Sequence, residues 1–177
     1  METFSKVRDF TDHPDYTRDR LNVLSEIKLE NLDVPIRDIV IAFGKLAQCF
    51  TLQSCYGHFV WGEQPEALNL AVLPLQNQDP VRYRIAYLAL CIEQSARGRY
   101  LRDRLAKICE IDDEYVQFGS PTWFWKQYPN SYALQVEPRR FALLDEALLE
   151  HSEALHVQSV RELFFQRVRE VLAETEA

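Results

Sequence analysis

Glycine, proline and cysteine are scarce in this chain of 177 residues, and long apolar runs are missing. Five glycines and eight prolines exclude collagen-like and low-complexity chains, because both need these residues in abundance. Hydrophobic residues make up 47% of the chain, which excludes a disordered polypeptide. No apolar run approaches the roughly 18 residues of a membrane-spanning helix. We therefore expect one soluble globular domain over residues 1–177, with no membrane partner.

The cysteines form no CxxC pair, and they number only four: Cys49, Cys55, Cys91 and Cys109. A domain of this size does not need disulfides to hold its core, so the sequence predicts reduced thiols. The N-terminus has no apolar stretch behind basic residues, as a secretory signal would. Together these features predict a cytoplasmic protein.

The common signatures of nucleotide-binding and hydrolytic enzymes are also missing. The sequence contains no GxGxxG, GxxxxGK[ST], HExxH or GxSxG motif. This excludes the most frequent nucleotide-binding and hydrolase patterns without excluding enzymes as a class. Whether the protein is an enzyme therefore stays open at this point.

Charge is distributed unevenly along the chain. The formal net charge is -7, with 27 acidic and 20 basic side chains. Residues 82–107 nevertheless carry seven basic side chains against two acidic ones. Arginine outnumbers lysine, and its planar guanidinium can bind phosphate or carboxylate with two hydrogen bonds. An anionic ligand is therefore compatible with the acidic average, although these arginines could equally pair with the chain's own acids.

Two helices are predicted near the N-terminus, after a loosely ordered lead-in over residues 1–13. Apolar residues at roughly helical spacing favour the first helix within residues 14–30. The second has Asp33 as its N-cap and Pro35 in its first turn. Its apolar positions repeat at intervals of three and four over residues 36–46, so this helix should be well buried.

Strands are predicted through the middle of the chain. The strongest candidate covers residues 84–92, where both alternating sets of side chains are apolar, as in a central strand buried on both faces. The other predicted strands cover residues 49–54, 59–61, 68–73, 115–118 and 132–136. Residues 123–130, between the last two, are predicted to form an aromatic loop.

Three more helices are predicted, one of them inserted among the strands. Ser95 offers an N-cap for a helix that runs to about Cys109. The pair at 137–138, Glu-Pro, ends the last strand and starts a helix with three apolar residues on one face. The final helix covers residues 156–174. This order favours an α+β fold in one domain, with a small, mostly antiparallel sheet and helices packed on it.

The turn over residues 54–58, Ser-Cys-Tyr-Gly-His, combines reactive groups with a glycine. A thiolate beside an imidazolium can act as a nucleophile, so Cys55 and His58 are the candidate catalytic residues. Ser54 and Gly57 are predicted to contact the ligand. Cys55 and His58 could also share a metal ion, but no other histidine has supporting spacing, so no metal site is predicted. The alternatives are a small buried thiol and a structural histidine.

This turn resembles the signature of the tRNA wybutosine-synthesis methyltransferase family, in which Ser-Cys-x-Gly-His or Ser-Cys-x-Gly-Arg follows a helix and a strand. The stretch over residues 134–138, a strand that ends in Glu-Pro, is similar to a second segment of that family. The resemblance spans at most residues 34–150. It implies an α+β domain that binds S-adenosylmethionine and methylates a modified guanosine in tRNA. It carries over only to Ser54, Cys55, Gly57, Glu137 and Pro138, and the sequence departs from the family's pattern at Gln53, Tyr56 and His58.

Three further residues complete the predicted site. Arg97 and Arg104 lie together on a helical wheel and are predicted to hold an anion, and Glu137 ends the last strand of the site. Rings of the aromatic loop could stack a base or could simply cap the core. We expect a transferase-like or ligand-binding domain for a nucleotide-containing or phosphorylated molecule. RNA is a further candidate partner, one that the net charge does not favour.

The alternative function is a protein-interaction module that acts as a homodimer. Phe164, Phe165 and Val168 cover more than one face of the final helix. A helix that is apolar beyond one stripe needs more than one neighbour to bury it, and a second copy of the chain could supply that neighbour.

Overall fold

Two antiparallel sheets are formed by the strands of residues 6–62 and 72–176, the part of the chain that the computed structural model describes. The larger sheet has the order β1-β4-β6-β5 and the smaller one the order β2-β3-β7. The strands are β1 Cys49–Cys55, β2 His58–Trp61, β3 Val81–Arg84, β4 Ala86–Ile92, β5 Val116–Gly119, β6 Ser131–Val136 and β7 Glu146–Leu149. The predicted α+β fold is confirmed.

Five α-helices in the described residues pack around these sheets: α1 Tyr16–Glu26, α2 Arg37–Lys45, α3 Ala96–Ala106, α4 Thr122–Gln127 and α5 His151–Glu176. The N-cap predicted for α3 is confirmed, since the Ser95 hydroxyl accepts a 3.0 Å hydrogen bond from the amide of Gly98. The long helix α5 packs against α2, α3, β3 and β6. No helix in the described parts of the chain combines the length and the apolar character that crossing a membrane requires.

Strand β4 lies in the interior of the larger sheet, as its two apolar faces predicted. One face belongs to the main core, together with residues of α5, through Ala86, Leu88, Leu90 and Ile92. On the opposite face, Cys91 packs with Tyr16 and Phe50 in a second, smaller cluster. Tyr87 lies at the other end of this face, where the sheet is less covered. The less covered end of that face therefore has room for a ligand.

The prediction of a helix after Pro138 is wrong. Residues Arg139–Phe141 form a single 3₁₀ turn, and the chain then enters β7. Apolar residues in this stretch recur at intervals of three and four, but Ala147 and Leu149 are the buried ones, which is the two-residue period of a strand. Pairing of β7 with β3 decides the outcome, because it buries that alternating face.

Residues 123–130 also differ from the prediction, because most of them form α4 instead of a loop. The helix follows Pro121 and ends before Pro129, with neither glycine nor proline inside it. Asn130 then adopts a φ of 66° and turns the chain into β6. As a result, the aromatic side chains of this segment have fixed directions.

The N-terminal residues 6–13 contain no helix or strand but are bound to the rest of the fold. The amide of Arg8 donates to the Ser120 hydroxyl at 3.0 Å. Thr11 exchanges two hydrogen bonds with the side-chain amide of Asn130. Most of the strand predicted at 68–73 lies outside the described residues.

Candidate functional site

One face of the larger sheet carries two rows of residues in register across all four strands. The first row is polar and consists of Cys55, Tyr87, Gln135 and Gln117 on β1, β4, β6 and β5. The second row is mostly small and consists of Gln53, Ala89, Ala133 and Gly119. Side chains of a sheet face normally fill the space above it. Small residues in the second row therefore leave room for a ligand.

A cavity of about 600 Å³ lies above these rows. Gln53, Cys55, Tyr87, Ala133 and Gln135 line it from the sheet. The other lining side chains are Arg84, Ile85, Pro121, Trp123, Phe124, Asp145 and Glu146. Cavities that bind small molecules and cofactors have this size and this combination of rings with a few polar groups.

The polar groups of the cavity are held by neighbouring side chains. The hydroxyl of Tyr87 donates to Oε1 of Gln53 at 3.2 Å. Nε of Arg84 donates to Oε1 of Glu146 at 3.1 Å, which ties β3 to β7 beside the cavity. Side chains held in this way keep one orientation, which lowers the entropy lost when a ligand binds.

A buried carboxyl group is connected to the cavity through Gln135. Nε2 of Gln135 donates to Oε2 of Glu137 at 3.2 Å, and Nε2 of Gln117 donates to the Glu137 carbonyl at 3.0 Å. Burial raises the pKa of Glu137 to about 9, and the nearby negative charge of Asp145 adds to the shift. Glu137 is therefore protonated at neutral pH. Its Oε1 has no hydrogen-bond partner among the described residues.

The turn between β1 and β2 is shaped by Gly57. This residue has a φ of 87°, and a Cβ at its position would lie 2.9 Å from both the Ala86 Cβ and the Tyr83 hydroxyl. Only glycine meets both requirements. On the carbonyl side of Gly57, Nη1 of the fully buried Arg161 donates a 2.9 Å hydrogen bond.

At this turn, Asp33 joins the two predicted catalytic residues. Nε2 of His58 lies 3.3 Å from Oδ1 of Asp33, and Oδ2 of Asp33 accepts a 2.7 Å hydrogen bond from the amide of Tyr56. Hydrogen bonding to Asp33, and then to Cys55, raises the pKa of His58 to about 9. The same contact with His58 lowers the pKa of Asp33. The imidazole is therefore positively charged at neutral pH.

Of the seven predicted site residues, the structure brings three close to the cavity. Cys55 lines it, His58 lies beside Cys55, and Glu137 reaches it through Gln135. Ser54 points to the opposite face of β1 from its neighbours Gln53 and Cys55. Gly57 is buried, and its amide donates to Sγ of Cys55 at 3.4 Å.

The two predicted anion-binding arginines lie elsewhere, which corrects the arrangement that the sequence suggested. Arg97 lines a second cavity of about 940 Å³, together with Lys45 and Tyr100. Arg104 forms an ion pair with Glu174 near the end of α5. The helix α3 that carries both arginines is in contact with α5 and β4, whereas Arg84 is the arginine that lines the cavity of Cys55.

Sequence reasoning missed three residues that build this site. Asp33 was predicted to cap a helix, but its side chain makes no capping bond and binds Tyr56 and His58 instead. The sequence indicated no role for Arg161 on the final helix or for Gln135 within its predicted strand. A polar side chain within an apolar strand was the available signal for Gln135.

No protein-family model matches the sequence, and no curated protein matches it. Among solved structures, the chain is similar to the PH1069 protein from Pyrococcus horikoshii, with 11% identity, a TM-score of 0.48 and coverage of 92% of this chain and 94% of that one. It is also similar to a hypothetical protein from Aeropyrum pernix, with 11% identity, a TM-score of 0.40 and coverage of 81% and 97%. Similarity at these levels carries no argument about function.

Proposed function

We propose that the protein is a transferase-like domain that binds a nucleotide-containing or phosphorylated molecule in the cavity on its larger sheet. The observation that carries this proposal is that three members of the polar row, Cys55, Tyr87 and Gln135, line this cavity together with Trp123 and Phe124 of α4. A cavity without a ligand would gain stability from apolar side chains at these positions. The polar row therefore favours a ligand with hydrogen-bonding groups.

The chemistry of the lining matches the parts of a nucleotide. Trp123, Phe124 and Tyr87 offer ring faces on which a base can stack. Gln53 and Gln135 carry amides that can pair with the edge of a base. The guanidinium of Arg84 can share its charge between Glu146 and a phosphate or carboxylate.

The resemblance to the wybutosine-synthesis methyltransferase family names S-adenosylmethionine as the candidate cofactor. The residues of the cavity fit this molecule, since the rings suit adenine, and Asp145 and Glu146 suit ribose hydroxyls or the amino group. Arg84 suits the carboxylate. When bound, the cofactor would supply a methyl group. The same resemblance makes a guanosine in tRNA the candidate acceptor.

Cys55 and His58 remain the candidate catalytic residues. Cys55 is in contact with the cavity, and the charged imidazole of His58 lies beside it. An imidazolium near a bound phosphate or a developing negative charge stabilises that charge. Glu137, which is neutral at pH 7, can donate a proton or hydrogen bond through its own carboxyl group.

Titration calorimetry with matched variants tests the proposal. Trp123 and Tyr100 are both 51% exposed, and they line the first and second cavity respectively. We expect Trp123→Ala to weaken binding of S-adenosylmethionine or a nucleotide by at least about tenfold, the usual effect of losing one stacked ring. Tyr100→Ala should bind like the wild type.

The ligands for this titration are S-adenosylmethionine, adenosine monophosphate and inorganic phosphate. Binding of none of them, or equal loss of affinity in the two variants, would contradict the proposal. Transfer of a labelled methyl group from S-adenosylmethionine to tRNA then tests the reaction that the resemblance implies. Loss of transfer in Cys55→Ser or His58→Gln, with ligand binding retained, would assign these residues to the reaction.

No observation in the described residues favours the homodimer over the ligand-binding function. Phe164, Phe165 and Val168, the residues that suggested a partner, are at most 1% exposed. They are buried in the main core of their own chain. Dimerisation stays a prediction, which light scattering during size-exclusion chromatography tests.

A further inference from the structure

Three donor atoms of different chemistry meet beside the cavity. Asp33, Cys55 and His58 each present one ligand atom, and these atoms lie within 4.8 Å of one another. Asp33 precedes the 3₁₀ turn that leads into α2, Cys55 ends β1 and His58 begins β2. Folding therefore brings a carboxylate from outside the turn to two residues already held within it.

The three groups are not arranged as a catalytic triad. In a triad the carboxylate and the nucleophile bind opposite nitrogens of the imidazole ring, so that a proton can pass between them. Nε2 of His58 faces Asp33, whereas its buried Nδ1 has no hydrogen-bond partner among the described residues, so Asp33 and Cys55 do not bind opposite nitrogens of the ring. The thiol, the carboxylate and the imidazole nitrogen instead form one cluster, in which each donor atom lies within 4.8 Å of the other two.

We propose that Asp33, Cys55 and His58 bind a divalent metal ion of borderline softness, with zinc as the best match. Bonds of 2.0–2.3 Å to a tetrahedral zinc ion place neighbouring ligand atoms about 3.4 Å apart. The distance from Nε2 of His58 to Oδ1 of Asp33 is 3.3 Å. Magnesium and calcium prefer oxygen ligands only, so the thiol and the imidazole favour zinc over both.

Backbone hydrogen bonds support this arrangement from outside. The amide of Tyr56 donates to Oδ2 of Asp33 and leaves Oδ1 for the metal. The amide of Gly57 donates to Sγ of Cys55 at 3.4 Å. Contacts of this kind orient metal ligands and tune the charge on a thiolate.

Three protein ligands leave one tetrahedral position for water or substrate, as in catalytic zinc sites. The side chains of His58 and Asp33 are 17% and 28% exposed, so the position is accessible. Cys55 also lines the cavity on the larger sheet, which places the metal beside that cavity. Zinc would displace the proton from Nε2 of His58, so the metal-bound chain would lack the imidazolium of the proposed function. Metal binding is measured without the ligand proposed for the cavity.

Competition with a chromophoric chelator measures zinc affinity of the untagged, metal-free chain. We expect one zinc ion per chain, and at least tenfold weaker binding in Cys55→Ser and Asp33→Asn. Cys109→Ser is the matched control for Cys55→Ser, and His156→Gln is a second control at a histidine outside the cluster. These controls should keep wild-type affinity.

Cobalt supplies a readout that needs no affinity comparison. The wild-type chain with cobalt should show the strong visible absorption of a tetrahedral site and a sulfur-to-cobalt charge-transfer band, and Cys55→Ser should lose that band. Zinc should also protect Cys55 of the wild type from alkylation, which excludes misfolding of a variant as the cause. Absence of saturable binding of either metal, or unchanged binding in Cys55→Ser, would overturn the proposal and leave only a hydrogen-bonded ion pair.

Discussion

Nη1 of Arg161 on α5 donates a 2.9 Å hydrogen bond to the carbonyl oxygen of Gly57, a residue 104 positions earlier in the chain. The guanidinium also lies 4.1 Å from the ring centroid of Tyr56 and 5.1 Å from that of Phe59. One fully buried cation therefore contacts the turn at its carbonyl and at the two rings beside it. Cys55 and His58 are at the two ends of this turn, so Arg161 contacts the segment that joins the two candidate residues.

Replacement of Arg161 by methionine should destabilise the fold. The change keeps an unbranched side chain but leaves the buried Gly57 carbonyl without its donor, which costs about 1–3 kcal/mol. Arg167→Met on the same helix is the control, because Arg167 is exposed and, among the described residues, its ion pair is with nearby, exposed Glu170, so its loss should cost little. Urea unfolding at neutral pH measures both. An equal loss of unfolding free energy in the two variants would mean that the buried contact of Arg161 stabilises the fold no more than an exposed ion pair does.

Two glycines with positive φ should respond differently to alanine. Gly57 and Gly62 have φ values of 87° and 61°, so each substitution carries a backbone cost of about 1–2 kcal/mol. Of the two positions, Gly57 is the one where the added Cβ would meet other described atoms at 2.9 Å, and such crowding costs about 1–3 kcal/mol more. In thermal unfolding, the melting temperature of Gly57→Ala should be well below that of Gly62→Ala. A reversed order would mean that the turn relaxes freely.

Glu137→Gln should change the pH dependence of stability. Its pKa is about 9 in the fold and near 4.5 when exposed, so the carboxyl group favours folding fully below pH 4.5 and loses this contribution as the pH rises toward 9. The loss is at most about 1.4 kcal/mol per pH unit. A neutral amide has no such cost, so the variant should gain stability over the wild type as the pH increases.

Urea unfolding of the wild type and Glu137→Gln at about pH 5, 6.5 and 8 measures this difference, because both proteins share every other titrating group. Glu162→Gln serves as the control, since Glu162 is exposed on α5. A difference between wild type and Glu137→Gln that stays constant with pH would contradict a buried neutral carboxyl group.

Cys55 should be the first thiol to react with iodoacetamide near neutral pH in the metal-free chain. Burial raises the pKa values of Cys49 and Cys91 above their usual range and that of Cys109 to about 11. Cys55 is half-buried and lines the cavity, so the reagent can reach its thiol. Mass spectrometry after brief labelling identifies the site. Faster labelling of Cys109 would contradict this prediction.

Sequence patterns predicted a helix or strand correctly where the local pattern of polar and apolar residues matches the way the element packs in the fold. Ser95 caps α3 as expected, and β4 has the two buried faces that its composition indicated. The prediction of a helix after Pro138 failed because residues 146–149 pair as a strand with β3, which lies 60 or more residues earlier in the chain. A helical and a strand pattern coexist in that stretch, and tertiary pairing decides between them.

The site was predictable only where its residues are adjacent in sequence. Cys55 and His58 could be identified because they share one turn with a glycine. Asp33, Gln135 and Arg161 join them from distant positions, and nothing in the spacing of these residues indicates that they meet. Arg97 was misassigned because a cluster of arginines in sequence does not specify which cavity each one reaches.

The most direct test of the ligand cavity is a ligand titration followed in ¹H–¹⁵N spectra. The indole N–H signals of the chain's three tryptophans are first assigned with Trp→Phe variants. Trp123 lines the cavity and is 51% exposed, whereas Trp61 is buried. Titration with S-adenosylmethionine or a nucleotide should shift the Trp123 signal to saturation and leave the Trp61 signal unmoved. An unchanged Trp123 signal, with shifts confined to residues 45–48 at the second cavity, would contradict the account.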